Sequence, residues 1–106
     1  MTDALVVFCN CPNHTEASQL AHAIVKDEAA ACVKIVPAIE SVYRWQGEIE
    51  TAQEVLLLIK TTRKQFAALR DLITRLHSYD TPEVIALAVE DGAVKYLAWL
   101  GATFAE

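Results

Sequence analysis

Hydrophobic and polar positions along this chain switch between the period of a strand and the period of a helix. Leu5-Val6-Val7-Phe8-Cys9 is a continuous apolar, β-prone run, the pattern of a strand buried on both faces. It is expected to stop at Asn10-Cys11-Pro12-Asn13, where proline and two asparagines signal a loop. Asn13 and Glu16 then have the spacing of a capping box. Ala17, Leu20, Ala21, Ile24, Val25 and Ala29 follow at helical intervals as one core-facing stripe, with His22 and Lys26 off it.

A second strand is expected from Ala31-Cys32-Val33 to Trp45. Pro37 interrupts it, which implies a bulge or an edge position because proline cannot donate to a ladder. Beyond Pro37, Ile39, Ser41, Tyr43 and Trp45 share one face and Glu40, Val42 and Arg44 the other. Gln46-Gly47 is the turn. Glu48 to Thr61 returns as a third strand, polar at first and fully apolar from Val55 to Ile59. An isolated two-stranded arm of this length is marginal in water, and one that carries Tyr43 and Trp45 calls for a neighbouring subunit to pack on. Thr62-Arg63-Lys64-Gln65 repeats the capping-box pattern, and Phe66, Leu69, Leu72, Ile73 and Leu76 form a second helical stripe. His77-Ser78-Tyr79-Asp80-Thr81-Pro82 breaks that helix. Val84 to Val89 is a fourth apolar strand, and Ala93 to Ala102 a short closing helix.

The order β-α-β-β-α-β-α with right-handed crossovers leaves few topologies. The natural one is α+β: a ferredoxin-like split β-α-β sandwich with a long central hairpin and a short C-terminal helix, one domain over residues 1–106. Two helices cover one sheet face. The other face is apolar as well and needs more than one short terminal helix, so a homo-oligomer is expected.

The composition agrees: 54% of the residues are hydrophobic, a high fraction for 106 residues. A net charge of −5 without any Lys/Arg cluster argues against nucleic acid. The longest apolar run, Val55–Ile59, is far short of the roughly 20 residues of a membrane span. An odd number of cysteines (Cys9, Cys11, Cys32) makes a reducing cytoplasm the expected compartment, and no basic leader is read at Met1-Thr2-Asp3-Ala4.

The hairpin and the second helix-to-strand junction are more specific. Ala31-Cys32-Val33-x-Ile35-x-Pro37, Ser41-x-Tyr43-x-Trp45-x-Gly47-x-x-Glu50, Glu54, Lys60-Thr61, His77-x-Tyr79-x-x-Pro82-Glu83 and Tyr96-Leu97-x-Trp99 occur in this order. Over roughly residues 5–100 the sequence resembles the CutA divalent-cation-tolerance family. The resemblance implies a ferredoxin-like subunit in a compact homotrimer whose hairpins contact neighbours, a link to copper and other divalent cations, and a structural kinship with PII signalling proteins. Family members with extra N-terminal segments have secretory or organellar roles, so the cytoplasmic bacterial type is the better analogue. One departure is Ser78, where the family usually has proline.

By the same resemblance, Cys9 and His77 match a proposed copper site. Leu76 stands where some members carry a further histidine. Cys11, two positions beyond Cys9, presents its sulfur on the same side as a third donor. Thiolate and imidazole suit copper or zinc far better than magnesium or calcium. Structural readings stand beside each: Cys9 as a small core residue, Cys11 as an incidental loop residue, Cys32 as core, and His77 as a partner of the helix dipole. His14 and His22 are assigned no role. Tyr43 and Trp45 with Lys60, Tyr79 and Glu83 are expected to line an intersubunit cleft, with plain interface packing as the structural alternative. Glu48, Glu50 and Glu54 form an acidic stretch that hard cations could occupy, but the expected reading is a solvated or salt-bridged surface with Arg44 and Lys60 as available partners.

The function expected is therefore a non-enzymatic, homotrimeric divalent-metal (copper or zinc) binding protein of cation tolerance. The alternative is a PII-like regulatory trimer that takes a small ligand or partner protein in the intersubunit cleft. A hydrolase or transferase with Cys9 as nucleophile and His77 as base ranks last, since the chain has no Gly-rich phosphate loop, nucleophile elbow or zinc-protease pattern.

Overall fold

Strict alternation along one strand organises the molecule, which a computed structural model describes over residues 2–104. Strand β1 (Ala4–Cys11) is followed by α1 (His14–Lys26), β2 (Cys32–Trp45), β3 (Glu48–Thr62), α2 (Phe66–Leu76), β4 (Ile85–Ala88) and α3 (Val94–Ala102). The sheet order is β2-β3-β1-β4 and all pairings are antiparallel, the split β-α-β arrangement that the element order predicts.

Leu5, Val7, Cys9 and Cys11 of β1 and Val55, Leu57 and Ile59 of β3 face α1 and α2. They pack there on Ala17, Leu20, Ile24, Leu69, Leu72 and Ile73 in one buried core. Val6, Phe8, Leu56 and Leu58 point the opposite way and are only half-buried. On the same side, Ile85 and Leu87 of β4 remain 53% and 50% exposed. Helix α3 covers one end of the sheet, where Leu100 meets Ala4 and Ala31. The second apolar face is thus mostly uncovered by the chain itself.

The hairpin is long, as expected, and gives the subunit extents of 45 × 25 × 22 Å. Its ladder slips between Val36 and Ile39, where Pro37 sits and Ala38 takes the left-handed φ of 59°. Gln46 and Gly47 close it with φ values of 50° and 84°, the two left-handed residues of a two-residue hairpin turn. Trp45 and Ile49 near the tip are 56% and 71% exposed.

Several local expectations are corrected. β1 does not end at Cys9: Asn10 and Cys11 continue the ladder opposite Leu56 and Val55, because β3 is long enough to keep pairing until Pro12. The Thr62–Gln65 capping box is not made. Thr62 still belongs to β3, residues 62–65 form a turn in which the Gln65 N–H donates to the Thr62 carbonyl at 3.1 Å, and α2 begins only at Phe66. The Gln65 side-chain amide instead donates to the Glu28 carbonyl at 2.7 Å, tying the start of α2 to the end of α1. The first capping box is half made: Asn13 Oδ1 accepts the Glu16 N–H at 2.8 Å, but the Glu16 carboxylate turns elsewhere. β4 has four residues, shorter than the apolar run Val84–Val89. Val25, counted in the α1 stripe, is exposed.

These contacts rank two substitutions. Asn13→Ala removes one cap bond and is expected to cost about 1 kcal/mol. Ile73→Ala opens a cavity in a fully buried position and is expected to cost about 3 kcal/mol. Chemical denaturation at one fixed protein concentration checks both, and equal losses would contradict the assignment of the core.

Candidate metal centre

Two elements converge on the candidate donors. The period of β1 puts Cys9 and Cys11 side by side on the helix-covered face, both fully buried. Helix α2 ends at His77, whose backbone is extended (φ −72°, ψ 144°) while its N–H still donates to the Ile73 carbonyl at 2.8 Å. This ending turns the imidazole into the core beside the strand, so the Sγ atoms of Cys9 and Cys11 and a ring nitrogen of His77 lie within 4.8 Å of one another. Leu76, in the position of a second imidazole, is exposed and lies outside this group. Cys32 is also remote from it, 3.8 Å from the Tyr96 hydroxyl on another part of the sheet. None of the three cysteines is in a disulfide.

Both imidazole nitrogens are engaged. The Tyr79 N–H donates to Nδ1 at 3.0 Å, so in the neutral ring Nε2 carries the proton and donates to the Asn10 carbonyl at 2.7 Å. Glu16 Oε2 accepts the Ser78 N–H at 3.0 Å and lies 3.5 Å from Nδ1. Because Nδ1 accepts from Tyr79, Glu16 acts chiefly on the backbone of the turn that carries the imidazole. The thiols titrate as a pair. The hydrogen bond between the two side chains lowers the Cys11 pKa from its ordinary value, against burial and the charges of Glu16 and Glu54. The same bond, then burial, then the negative charges of Cys11, Glu83 and Glu16 push the Cys9 thiol up.

The donor set fits a soft or borderline ion. Two sulfurs and one nitrogen suit copper or zinc, and among the described residues no carboxylate of the kind that magnesium or calcium would prefer belongs to the convergent group. Three donors are one fewer than the usual structural zinc site provides. For His77 to ligate, it must give up either its bond to Asn10 or the one it receives from Tyr79.

A second set of residues surrounds a groove on the opposite side of β1. The side chain of Asn10 points there, and its Nδ2 donates to Glu54 Oε1 at 3.4 Å. The Tyr79 hydroxyl donates to Glu54 Oε2 at 2.7 Å. Burial first, and then this bond and the Glu54 charge, push the Tyr79 phenol up. His77, Asn10, Glu54 and Tyr79 therefore form a closed hydrogen-bonded circuit that passes through the strand. The groove measures about 850 Å³ and brings together Tyr43, Trp45, Tyr79 and Glu83, four of the five residues expected in a cleft. Lys60 is not among them within one subunit. Its ammonium donates to the Tyr96 hydroxyl at 3.1 Å, the main reason that its pKa is raised, and stands 5.0 Å from the Tyr96 ring centroid.

Sequence reasoning missed Asn10 and Glu54 as site residues. Asn10 was placed in a loop, and Glu54 in a solvated stretch, although it is only 9% exposed. Parity was the available signal: Glu54 precedes Leu56 and Leu58 at strand period, on the same second apolar face of the sheet.

Burial sets the order of thiol reactivity. A thiol reagent is expected to modify Cys32 first in the folded protein, and Cys9 and Cys11 only on unfolding, as read by peptide mass spectrometry. Modification of Cys9 or Cys11 in folded protein would contradict the packing of the centre.

The family model described as CutA1 divalent ion tolerance protein matches residues 5–103. The divalent-cation tolerance protein CutA of Thermus thermophilus is 45% identical over 95 residues, which cover 90% of this chain and 92% of that protein. The chloroplastic protein CutA of Arabidopsis thaliana is 45% identical over 97 residues, 92% of this chain but 53% of the relative; the chain spans about half the length of the plant relatives it matches. The crystal structure of CutA1 from Oryza sativa superposes with a TM-score of 0.93 at 44% identity, covering 96% of this chain and 94% of that one. The CutA structure from Thermus thermophilus gives 0.90 at 44% identity, covering 92% and 94%. With its sheet order, its hairpin and nearly its whole length matched, this chain belongs to the CutA1 divalent ion tolerance family.

Proposed function

We propose that the protein is a non-enzymatic homotrimer that binds copper or zinc and serves divalent-cation tolerance in the cytoplasm. The convergence of the Cys9 and Cys11 sulfurs and the His77 imidazole within 4.8 Å carries this reading. Cys9, Cys11 and His77 hold the ion as soft donors; Asn10 and Tyr79 position the imidazole, and Glu16 holds the turn. All three side chains are buried, which strengthens the attraction between a cation and a thiolate. The family name, a divalent ion tolerance protein, supports the same reading. Three cysteines outside any disulfide support a reducing compartment. Among the described residues no helix is long and apolar enough to cross a membrane. The uncovered half of the sheet supports self-association, and the family resemblance gives the number three.

The nucleophile reading has less support. Cys9 is the thiol of the pair that keeps its proton, it is fully buried, and the Nδ1 lone pair of His77 already receives the Tyr79 N–H. A second reading, a regulatory trimer with a small ligand between subunits, rests on the 850 Å³ groove.

Zinc titration by calorimetry under reducing conditions tests the metal reading. One ion per subunit is expected, with at least a tenfold loss of affinity in Cys9→Ser, Cys11→Ser and His77→Ala and none in Cys32→Ser. Affinity is expected to fall as pH drops from 8 to 6, because protons must leave the thiols for the ion to bind. Unchanged affinity in the Cys9 and His77 variants would overturn it. Light scattering is expected to give about three times the subunit mass of 11.7 kDa; a single chain would overturn the trimer.

A further inference from the structure

The candidate centre has three convergent donors where a closed site usually has four, and a carboxylate stands beside it. Glu16, in the first turn of α1, places Oε2 3.5 Å from His77 Nδ1. Two donors that each lie about 2.0–2.2 Å from one tetrahedral zinc stand about 3.4 Å apart, so this separation suits two ligands of one ion. Nδ1 is also the nitrogen with the lone pair, because Nε2 gives its proton to the Asn10 carbonyl at 2.7 Å. In ligating through Nδ1, the imidazole loses only the Tyr79 N–H and keeps Asn10, the kind of carbonyl partner that fixes a ligating ring.

Glu16 has free capacity to ligate. Oε2 accepts the Ser78 N–H at 3.0 Å, and Oε1 has no hydrogen bond among the described residues. The side chain is only 21% exposed, and among the described residues no Lys or Arg forms a salt bridge with it. Its negative charge bears on Cys9 and Cys11 and opposes the ionisation of both. A cation shared by the carboxylate and the thiolates turns that repulsion into attraction. Glu16 stands outside the group whose ligand atoms all lie within 4.8 Å of one another, so ligation includes a rotation of its side chain toward the sulfurs.

We propose that Glu16 is the fourth protein donor of the centre and sets its preference for a divalent ion. Cys9 and Cys11 supply sulfur, His77 supplies Nδ1, and Glu16 supplies one carboxylate oxygen while it still holds the Ser78 N–H. A carboxylate oxygen suits zinc but adds little for copper(I), which the two soft thiolates satisfy. The inference rests on the metal-binding reading above and deepens it by naming the residue that selects among metals.

The test compares the wild type with Glu16→Gln, whose side-chain carbonyl can still accept the Ser78 N–H. Zinc affinity by calorimetry is expected to fall at least tenfold in the variant. Its copper(I) affinity, read by competition with a chromophoric chelator, is expected to stay within threefold of the wild type. Without metal, both proteins are expected to unfold at the same denaturant midpoint. In wild-type protein with carbon-13 at the glutamate carboxyls, one equivalent of zinc is expected to shift the Glu16 resonance. Nitrogen-15 spectra of the histidines are expected to show His77 bound through Nδ1 with Nε2 protonated. Wild-type zinc affinity in Glu16→Gln, or a Glu16 carboxyl resonance that stays in place as zinc binds, would overturn the proposal and leave the three-donor site standing. Ligation through Nε2, or an equal tenfold loss for zinc and copper(I), would do the same, since Glu16 would then shape the pocket without ligating. If zinc does not bind the wild type, or binds unchanged in Cys9→Ser and His77→Ala, the metal reading fails and the proposal fails with it.

Discussion

The structure depends on one constraint: in the paired strands β1 and β3, each side chain must go to one face or the other, and both faces are apolar. Leu5, Val7, Cys9 and Cys11 meet Leu57, Ile59 and the two helices, and together they make the core. Val6, Phe8, Leu56 and Leu58 make the second face, which α3 covers only at one end. A slip of one residue in the β1–β3 register would move both thiols out of the core and put Asn10 into it. The hydrophobic effect thus fixes the position of the chemistry as well as the fold.

Within that frame, the candidate centre is built from local exceptions. Cys9 and Cys11 occupy core positions where aliphatic side chains would pack as well. His77 is a polar ring at the end of a helix, buried because its two hydrogen bonds offset its desolvation. The circuit from His77 through Asn10, Glu54 and Tyr79 runs from the thiol side of the strand to the groove side. An ion that takes a nitrogen of His77 must break one bond of this circuit, so the two sides of β1 are physically linked.

Most of the architecture was legible from periodicity. The element order, the bulge at Pro37, the Gln46-Gly47 turn and the two-sided apolar strands all follow from residue type and spacing. Errors arose where tertiary contacts outweighed local signals. The end of β1 was set by pairing with a long β3, beyond the point where Asn10 suggests a loop. The spacing of Thr62 to Gln65 fits a cap, but Thr62 was held in the ladder and Gln65 was drawn to the Glu28 carbonyl across the molecule. For the site, Cys9 and His77 came from resemblance and Cys11 from strand parity. No single-sequence signal shows that His77 turns into the core, since the bonds that hold it come from residues 10 and 79. Lys60 stands apart from the other cleft candidates within the subunit because its strand partner is Cys32 and its side chain reaches α3.

X-ray absorption at the zinc edge of the loaded protein tests the central claim most directly. Two sulfurs at about 2.3 Å and one imidazole nitrogen at about 2.0–2.1 Å are predicted among the protein ligands. A shell of oxygen and nitrogen alone, without sulfur, would show that the buried thiols of β1 do not hold the ion.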